Sequence, residues 1–269
     1  MSVFRILLDE LPPAGSIISV PDEQAHHLRH VRRVTRGEKI ECLDRHGRCA
    51  PADIATLEPE LCVTIGAWRT PAPAPPCALT LLPALLPEDR FDIVLQKCTE
   101  LGVPVCIPLI TEFTVVKLHK EPQHKRARWQ RICDDAARQC GGAPMQVAAP
   151  LAFDDALACT RQLRLIADRT GSDLCELIAP RAPAEVAVMI GPEGGWSDTE
   201  VAAAQAAGWR ATRLHQNVLR AETAAIVAAA LLLVPGFGDP LTEDRGPRSG
   251  NRTSNIQQGM SNIQGRREP

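Results

Sequence analysis

Gly191-Pro192-Glu193-Gly194-Gly195 and the trio Arg220, Glu222 and Thr223 are the residues of this chain best suited to chemistry. Glycines let the main chain itself approach a bound molecule, because no Cβ intervenes. Val186 to Ile190 before them is a short apolar run, and Ser197 and Glu200 after them have the Ser-x-x-Glu spacing of a capping box. Strand, glycine-rich turn and helix in succession build a ligand loop at the carboxyl edge of a sheet. The loop lacks both the Gly-Lys-Ser/Thr ending of a phosphate loop and the G-x-G-x-x-G spacing of a dinucleotide site. The trio sits in His215-Gln-Asn-Val-Leu-Arg-Ala-Glu-Thr-Ala224, also between a short strand and a helix. A guanidinium there can stabilise an anion, and a carboxylate can move a proton. The plainer alternative is that Glu222 and Thr223 cap the last helix and complement its dipole. Two such loops at one sheet edge would converge on one pocket.

The elements that must hold these loops follow from periodicity. Residues 1–69 carry short alternating runs such as Ile40-Glu41-Cys42-Leu43 and Cys62-Val63-Thr64-Ile65, separated by turns such as Asp44-Arg45-His46-Gly47. That pattern predicts a small β barrel or sandwich. Residues 70–76, Thr-Pro-Ala-Pro-Ala-Pro-Pro, read as a stiff linker. Residues 77–238 alternate strands and helices. Strands are predicted over Ala78–Leu86, Val105–Ile110, Leu163–Ala167, Val186–Ile190 and Ala211–Leu214. Helices are predicted over Asp89–Leu101, Lys125–Cys140, Val201–Ala207 and Glu222–Val234. The alternation argues for an α/β fold, a parallel sheet with helices on both faces. Residues 239–269 lose hydrophobic periodicity, and their composition is that of a disordered tail.

A net charge of −2 gives no whole-chain signal for nucleic acid, so any basic surface must be local. One lies in His26 to Arg36, where His27, Arg29, Arg32, Arg33 and Arg36 are candidates for RNA phosphate contact. A solvated helix face is the usual account of such a charge run. Lys117, Lys120, Lys125, Arg126, Arg128 and Arg131 form a second basic stretch, with Lys117 as a further RNA candidate. The ten cysteines include no C-x-x-C pair, which argues against zinc and for reduced thiols in a cytoplasmic protein. No secretory signal is expected at the N-terminus, and the longest apolar run, Ala224 to Val234, is too short to span a bilayer.

Three blocks carry a resemblance. Ile190-Gly-Pro-Glu-Gly-Gly195 followed by Val218-Leu-Arg-Ala-Glu-Thr-Ala224, together with Leu95-Gln-Lys-Cys-Thr-Glu-Leu-Gly-Val103, is similar to the signature of the RsmE family. These are 16S ribosomal RNA uridine-N3 methyltransferases of the SPOUT superfamily. His26-His-Leu-Arg-His-Val-Arg-Arg33 resembles the opening of that family's PUA-like RNA-binding domain.

The resemblance implies a SPOUT methyltransferase domain with a carboxyl-terminal trefoil knot, working as a homodimer on 16S rRNA of the small ribosomal subunit. It implies S-adenosylmethionine as methyl donor, bent between the loops after Ile166, Ile190 and Leu214, with no metal and no membrane. On that basis Ile166, Ala167, Ile190, Gly191, Pro192, Glu193, Gly194, Gly195, Leu214, His215, Val218, Leu219 and Thr223 are cofactor candidates. Uridine N3 is a poor nucleophile until its proton is lost. Arg220 is therefore the candidate for anion stabilisation or phosphate anchoring, and Glu193 and Glu222 are candidate bases, though either could serve only to orient Arg220. The chain departs from the family pattern at Phe113, Arg138, Gly142 and His215. The alternatives are a SPOUT enzyme on another RNA and a non-catalytic RNA-binding assembly protein.

Overall fold

The computed structural model describes residues 4–69, 75–116, 122–178 and 183–234. The short alternating runs at the amino end become β1 (Arg5–Leu8), β2 (Ile17–Ser19), β3 (Lys39–Asp44), β4 (Cys49–Thr56) and β5 (Cys62–Ile65). They form one sheet in the order β1-β3-β4-β5-β2, antiparallel except for the β1–β3 pair. The alternation sends Ile40, Ala52, Ile54, Val63 and Ile65 into a common core with Ile6 and Leu28. Leu28 anchors the basic segment, which folds as α1 (Asp22–His26) running directly into a π-helical turn, His27–Arg32.

The larger part contains β6 (Ala78–Pro83), α2 (Glu88–Glu100), β7 (Val105–Cys106), β8 (Leu109–Ile110), α3 (Pro122–Cys140), β9 (Gln146–Val147), β10 (Leu151–Ala152) and α4 (Phe153–Ala156). It continues with β11 (Leu163–Asp173), α5 (Leu174–Ile178), β12 (Glu185–Ile190), α6 (Asp198–Ala206), β13 (Arg210–Arg213) and α7 (Ala221–Leu233). Six strands form the sheet β13-β11-β12-β6-β7-β9, and every pair is parallel. Both faces are covered, which is why β6 and β12 read as continuous apolar runs. In β12, Val186, Val188 and Ile190 join the core beneath α2, α3 and α7. Ala187 and Met189 point the other way, to Leu82, Ala204 and Trp209.

Two expectations are corrected. The strand expected over Val105–Ile110 breaks into β7 and β8 around Pro108, whose missing N–H interrupts the ladder. β8 then pairs with β10 in a separate two-stranded sheet. The strand expected to stop at Ala167 runs on to Asp173 as β11. Its register against β13 shifts between Ala167 and Ser172, both of which face Thr212. A Cβ on Gly171 would lie 2.3 Å from the Ala211 carbonyl carbon and the Thr212 nitrogen, so only glycine lets β13 pass this close.

The two parts meet along α3. Arg5 donates to the Arg138 and Gln139 carbonyls at 3.2 and 3.0 Å and also pairs with buried Glu41 at 2.8 Å. A cation at the carbonyl end of a helix is electrostatically favoured. Arg45 bridges Asp9 and Asp134 at 3.0 and 3.1 Å. Arg138 and Gly142 therefore lie at or beside this seam, away from the glycine loop. No disulfide links the ten cysteines. Burial pushes the Cys98 and Cys133 thiols up to about 12, so they pack as small hydrophobes.

Candidate functional site

Three loops at the carboxyl ends of adjacent parallel strands enclose a cavity of about 470 Å³. β11 supplies Ala167, Asp168 and Arg169, and the loop after β12 supplies Ile190, Gly191, Pro192, Glu193, Gly195 and Trp196. From β13 and the segment beyond it come Thr212, Arg213, Leu214, His215, Asn217, Val218, Leu219 and Arg220.

Local interactions fix each wall. The Ser197–Glu200 capping box forms as the spacing predicts: Glu200 N donates to Ser197 Oγ at 3.2 Å and Ser197 N to Glu200 Oε2 at 3.0 Å. The other Glu200 oxygen accepts the Glu112 N–H at 2.9 Å, which binds the loop after β8 to the start of α6. Trp196 crosses the cavity floor and donates from Nε1 to the Ala167 carbonyl at 2.9 Å. Its ring lies so near Gly191 that a Cβ there would sit 3.1 Å from Cε2. In the third loop His215 Nδ1 accepts the Asn217 N–H at 3.0 Å. His215, one of the departures from the family pattern, thus serves to shape its own turn.

Most sequence-derived cofactor candidates line the cavity: Ala167, Ile190, Gly191, Pro192, Glu193, Gly195, Leu214, His215, Val218 and Leu219. Three do not. Ile166 precedes Ala167 on a strand, so its side chain faces the opposite way into the core. Gly194 turns to Phe113, whose Cβ would lie 3.0 Å from an added Cβ. Thr223 is exposed on the first turn of α7 and does not reach the cavity.

Among the candidate catalytic groups, Arg220 stands as the extended N-cap residue of α7, exposed at the cavity wall. Among the described residues its guanidinium has no hydrogen-bond or ion-pair partner. Glu193 forms an ion pair with Arg90 of α2. Glu222 is not part of the cavity lining; its Oε2 is buried with no partner among the described residues, as is Arg213 Nε. Sequence reasoning missed Arg90, Trp196 and Arg213. Trp196 alone had a local signal, an aromatic directly after the glycine run.

On the amino-terminal part His27, Arg32, Arg33 and Arg36 are exposed. His27 stacks on Phe4 with ring centroids 5.4 Å apart, and Arg32 lies 5.8 Å from the same ring. Arg33 adopts a left-handed backbone, φ 53°, that ends the helical turn. Arg29 differs, since its guanidinium donates to the Leu57 carbonyl at 2.7 Å and to that of Pro59 at 3.3 Å. Lys117 and Lys120 lie outside the described residues. In the second basic stretch Arg128 grips Asp92 through two bonds of 2.8 and 2.6 Å, and Arg126 donates to the Val147 carbonyl. Among the described residues no cluster of three or more His, Cys, Asp or Glu side chains is placed to hold a metal ion. No helix among them is long and apolar enough to cross a membrane.

A parallel sheet with three loops closing one cavity, behind a small β domain bearing a basic turn, defines the class. Residues 73–233 match the RNA methyltransferase domain family, and residues 20–64 match the RNA methyltransferase PUA domain family. The chain is 34% identical to the ribosomal RNA small subunit methyltransferase E of Synechocystis, over 84% of this chain and 76% of that protein. The methyltransferase E of Neisseria gonorrhoeae, solved bound to S-adenosyl methionine, is 31% identical with a TM-score of 0.78, covering 85% of this chain and 95% of that one. A Legionella pneumophila methyltransferase solved with bound SAM is 30% identical with a TM-score of 0.80, covering 86% of this chain and 97% of that one. The chain belongs to the ribosomal RNA small subunit methyltransferase E family.

Proposed function

We propose that this protein transfers the methyl group of S-adenosylmethionine to N3 of one uridine in 16S rRNA, as a cytoplasmic homodimer with a knotted methyltransferase domain. The observation that carries the reading is the convergence of the Ala167–Arg169, Ile190–Trp196 and Leu214–Arg220 loops on one cavity. The residues present fit the donor. Much of the wall is glycine and apolar side chain, and Arg213 keeps a buried N–H without a partner, the kind of orphan that a ligand acceptor satisfies. The main chain of Ile190–Gly195 and Leu214–Leu219 would hold the adenosine part, with Trp196 fixing the distance between two of the loops.

The donor, when bound, supplies an electrophilic methyl carbon. The protein's own task is then to place the acceptor in line and to make N3 nucleophilic. Loss of the N3 proton to water leaves an anion, and the guanidinium of Arg220, which has no partner among the described residues, lowers the cost of that charge. Glu193, held by Arg90, supports the reading in which it positions the loop rather than takes the proton. The exposed His27, Arg32, Arg33 and Arg36 lie on one helical turn and its exit, and they would meet RNA phosphate. Arg29, already bound to carbonyls, would instead brace that turn.

Mass mapping of 16S rRNA from cells lacking the gene, before and after the gene is restored, tests the proposal. Loss and return of a single N3-methyluridine is expected. An unchanged 16S modification profile contradicts it.

A further inference from the structure

A second hollow, about 560 Å³, adjoins the first and shares Pro192 and Glu193 with it, so one loop walls both. Its remaining walls come from Leu85-Leu86-Pro87 and from Glu112 to Val115. We propose that this groove receives the target uracil, unstacked from the RNA, with Phe113 as the face on which the base stacks. The proposal rests on the donor reading of the neighbouring cavity.

Three observations converge on a base as occupant. Phe113 is 42% exposed, and the other exposed aromatic among the described residues, Trp68, is engaged by the Pro12 carbonyl at 2.9 Å and by Arg48 at 4.7 Å. Phe113 is also held in place. Its Cβ leans on Gly194, the Glu112 N–H is bound by Glu200, and Thr111 and Thr114 close the turn through bonds of 2.9 Å. A preformed aromatic surface is what a splayed-out base needs. Lastly, among the described residues the charged side chains lining the groove are Glu112 and Glu193, the latter paired with Arg90. A lining of carboxylates suits a neutral base better than a phosphate.

The acceptor nitrogen must come within about 3–3.5 Å of the methyl carbon. Both hollows border on Pro192 and Glu193, so a base in this groove would lie beside the donor.

The test uses the full-length protein, small ribosomal subunits lacking the modification, and calorimetry with S-adenosylmethionine. Phe113→Ala is expected to keep donor affinity within about twofold while losing about 10- to 100-fold in kcat/KM for the subunit, the usual effect of removing a stacking face. Phe113→Tyr, which keeps the ring, should recover activity, and Phe113→Leu, which keeps only apolar bulk, should not. Turnover within twofold of wild type in Phe113→Ala or Phe113→Leu would overturn the base-stacking role. So would conversion of Phe113→Ala to a species of half the mass by light scattering, which would make the groove a contact between copies of this chain. Failure of the wild-type protein to bind the donor overturns the underlying functional reading instead, so the two failures are distinct.

Discussion

Arg90 on α2 and Glu193 in the glycine loop form an ion pair at the edge of the cavity enclosed by the three loops. The pairing gives Glu193 a task that requires no proton transfer, because a guanidinium can hold the carboxylate, and the loop with it, in place. It also anchors the loop between the two hollows to a helix of the core. Both side chains are partly exposed, 34% for Arg90 and 50% for Glu193, so the pair contributes little to global stability.

If positioning is the role of Glu193, Arg90→Ala and Glu193→Ala should each weaken donor binding by about two- to fivefold, and the double variant should be no worse than either single one. Calorimetry across the cycle measures this. Severe loss of methyl transfer in Glu193→Ala with none in Arg90→Ala would make Glu193 the base.

Arg220→Ala should fold and bind S-adenosylmethionine like wild type while kcat falls roughly 100- to 1000-fold, the range for removing a donor aimed at developing charge. Unchanged turnover would take Arg220 out of the reaction.

Gly171→Ala should destabilise the larger part by about 3 kcal/mol or more, because the new methyl would meet main-chain atoms of β13 that have no room to move. Gly142→Ala is the control, since the nearest atom there, Cys140 Sγ, lies at an ordinary 3.5 Å. Denaturant melts of equal midpoint for the two variants would refute the close passage of β13.

Asp44 sets a pH dependence on the amino-terminal part. Burial alone would raise its pKa, but the Arg48 guanidinium and the backbone N–H groups of Arg48, His46 and Leu11 outweigh it and hold the carboxyl below its ordinary value of 3.8. A pKa depressed on folding adds stability that is fully present above the ordinary value and fades as pH falls through the folded one. The unfolding midpoint of the protein should therefore drop as pH is lowered from about 5 toward 2, and Asp44→Asn should show a lower, flatter profile. A wild-type slope unchanged by Asp44→Asn would contradict this.

Much of the scaffold was legible because burial writes periodicity into the chain. β12 and α7 carry apolar runs that only a covered sheet and a helix on its face require, and Ser197 with Glu200 marked the cap of α6, although the helix expected from Val201 starts at Asp198. The break at Pro108 and the extension of β11 to Asp173 were not visible, since both depend on which strand lies alongside. The cavity walls were legible through the glycines and the Arg220 loop. Arg90 was not, because its partner comes from a distant segment and nothing in α2 sets it apart from a solvated arginine. Thr223 and Ile166 do not line the cavity, because the loop positions were identified without the direction of each side chain.

The most direct test of the central claim is to incubate purified protein and S-adenosylmethionine with small ribosomal subunits lacking the modification, then digest the 16S rRNA and map it by mass. One new methyl group, on N3 of a single uridine and absent with Arg220→Ala, is the predicted result. A methyl on ribose, on another base or on no RNA at all would contradict the account.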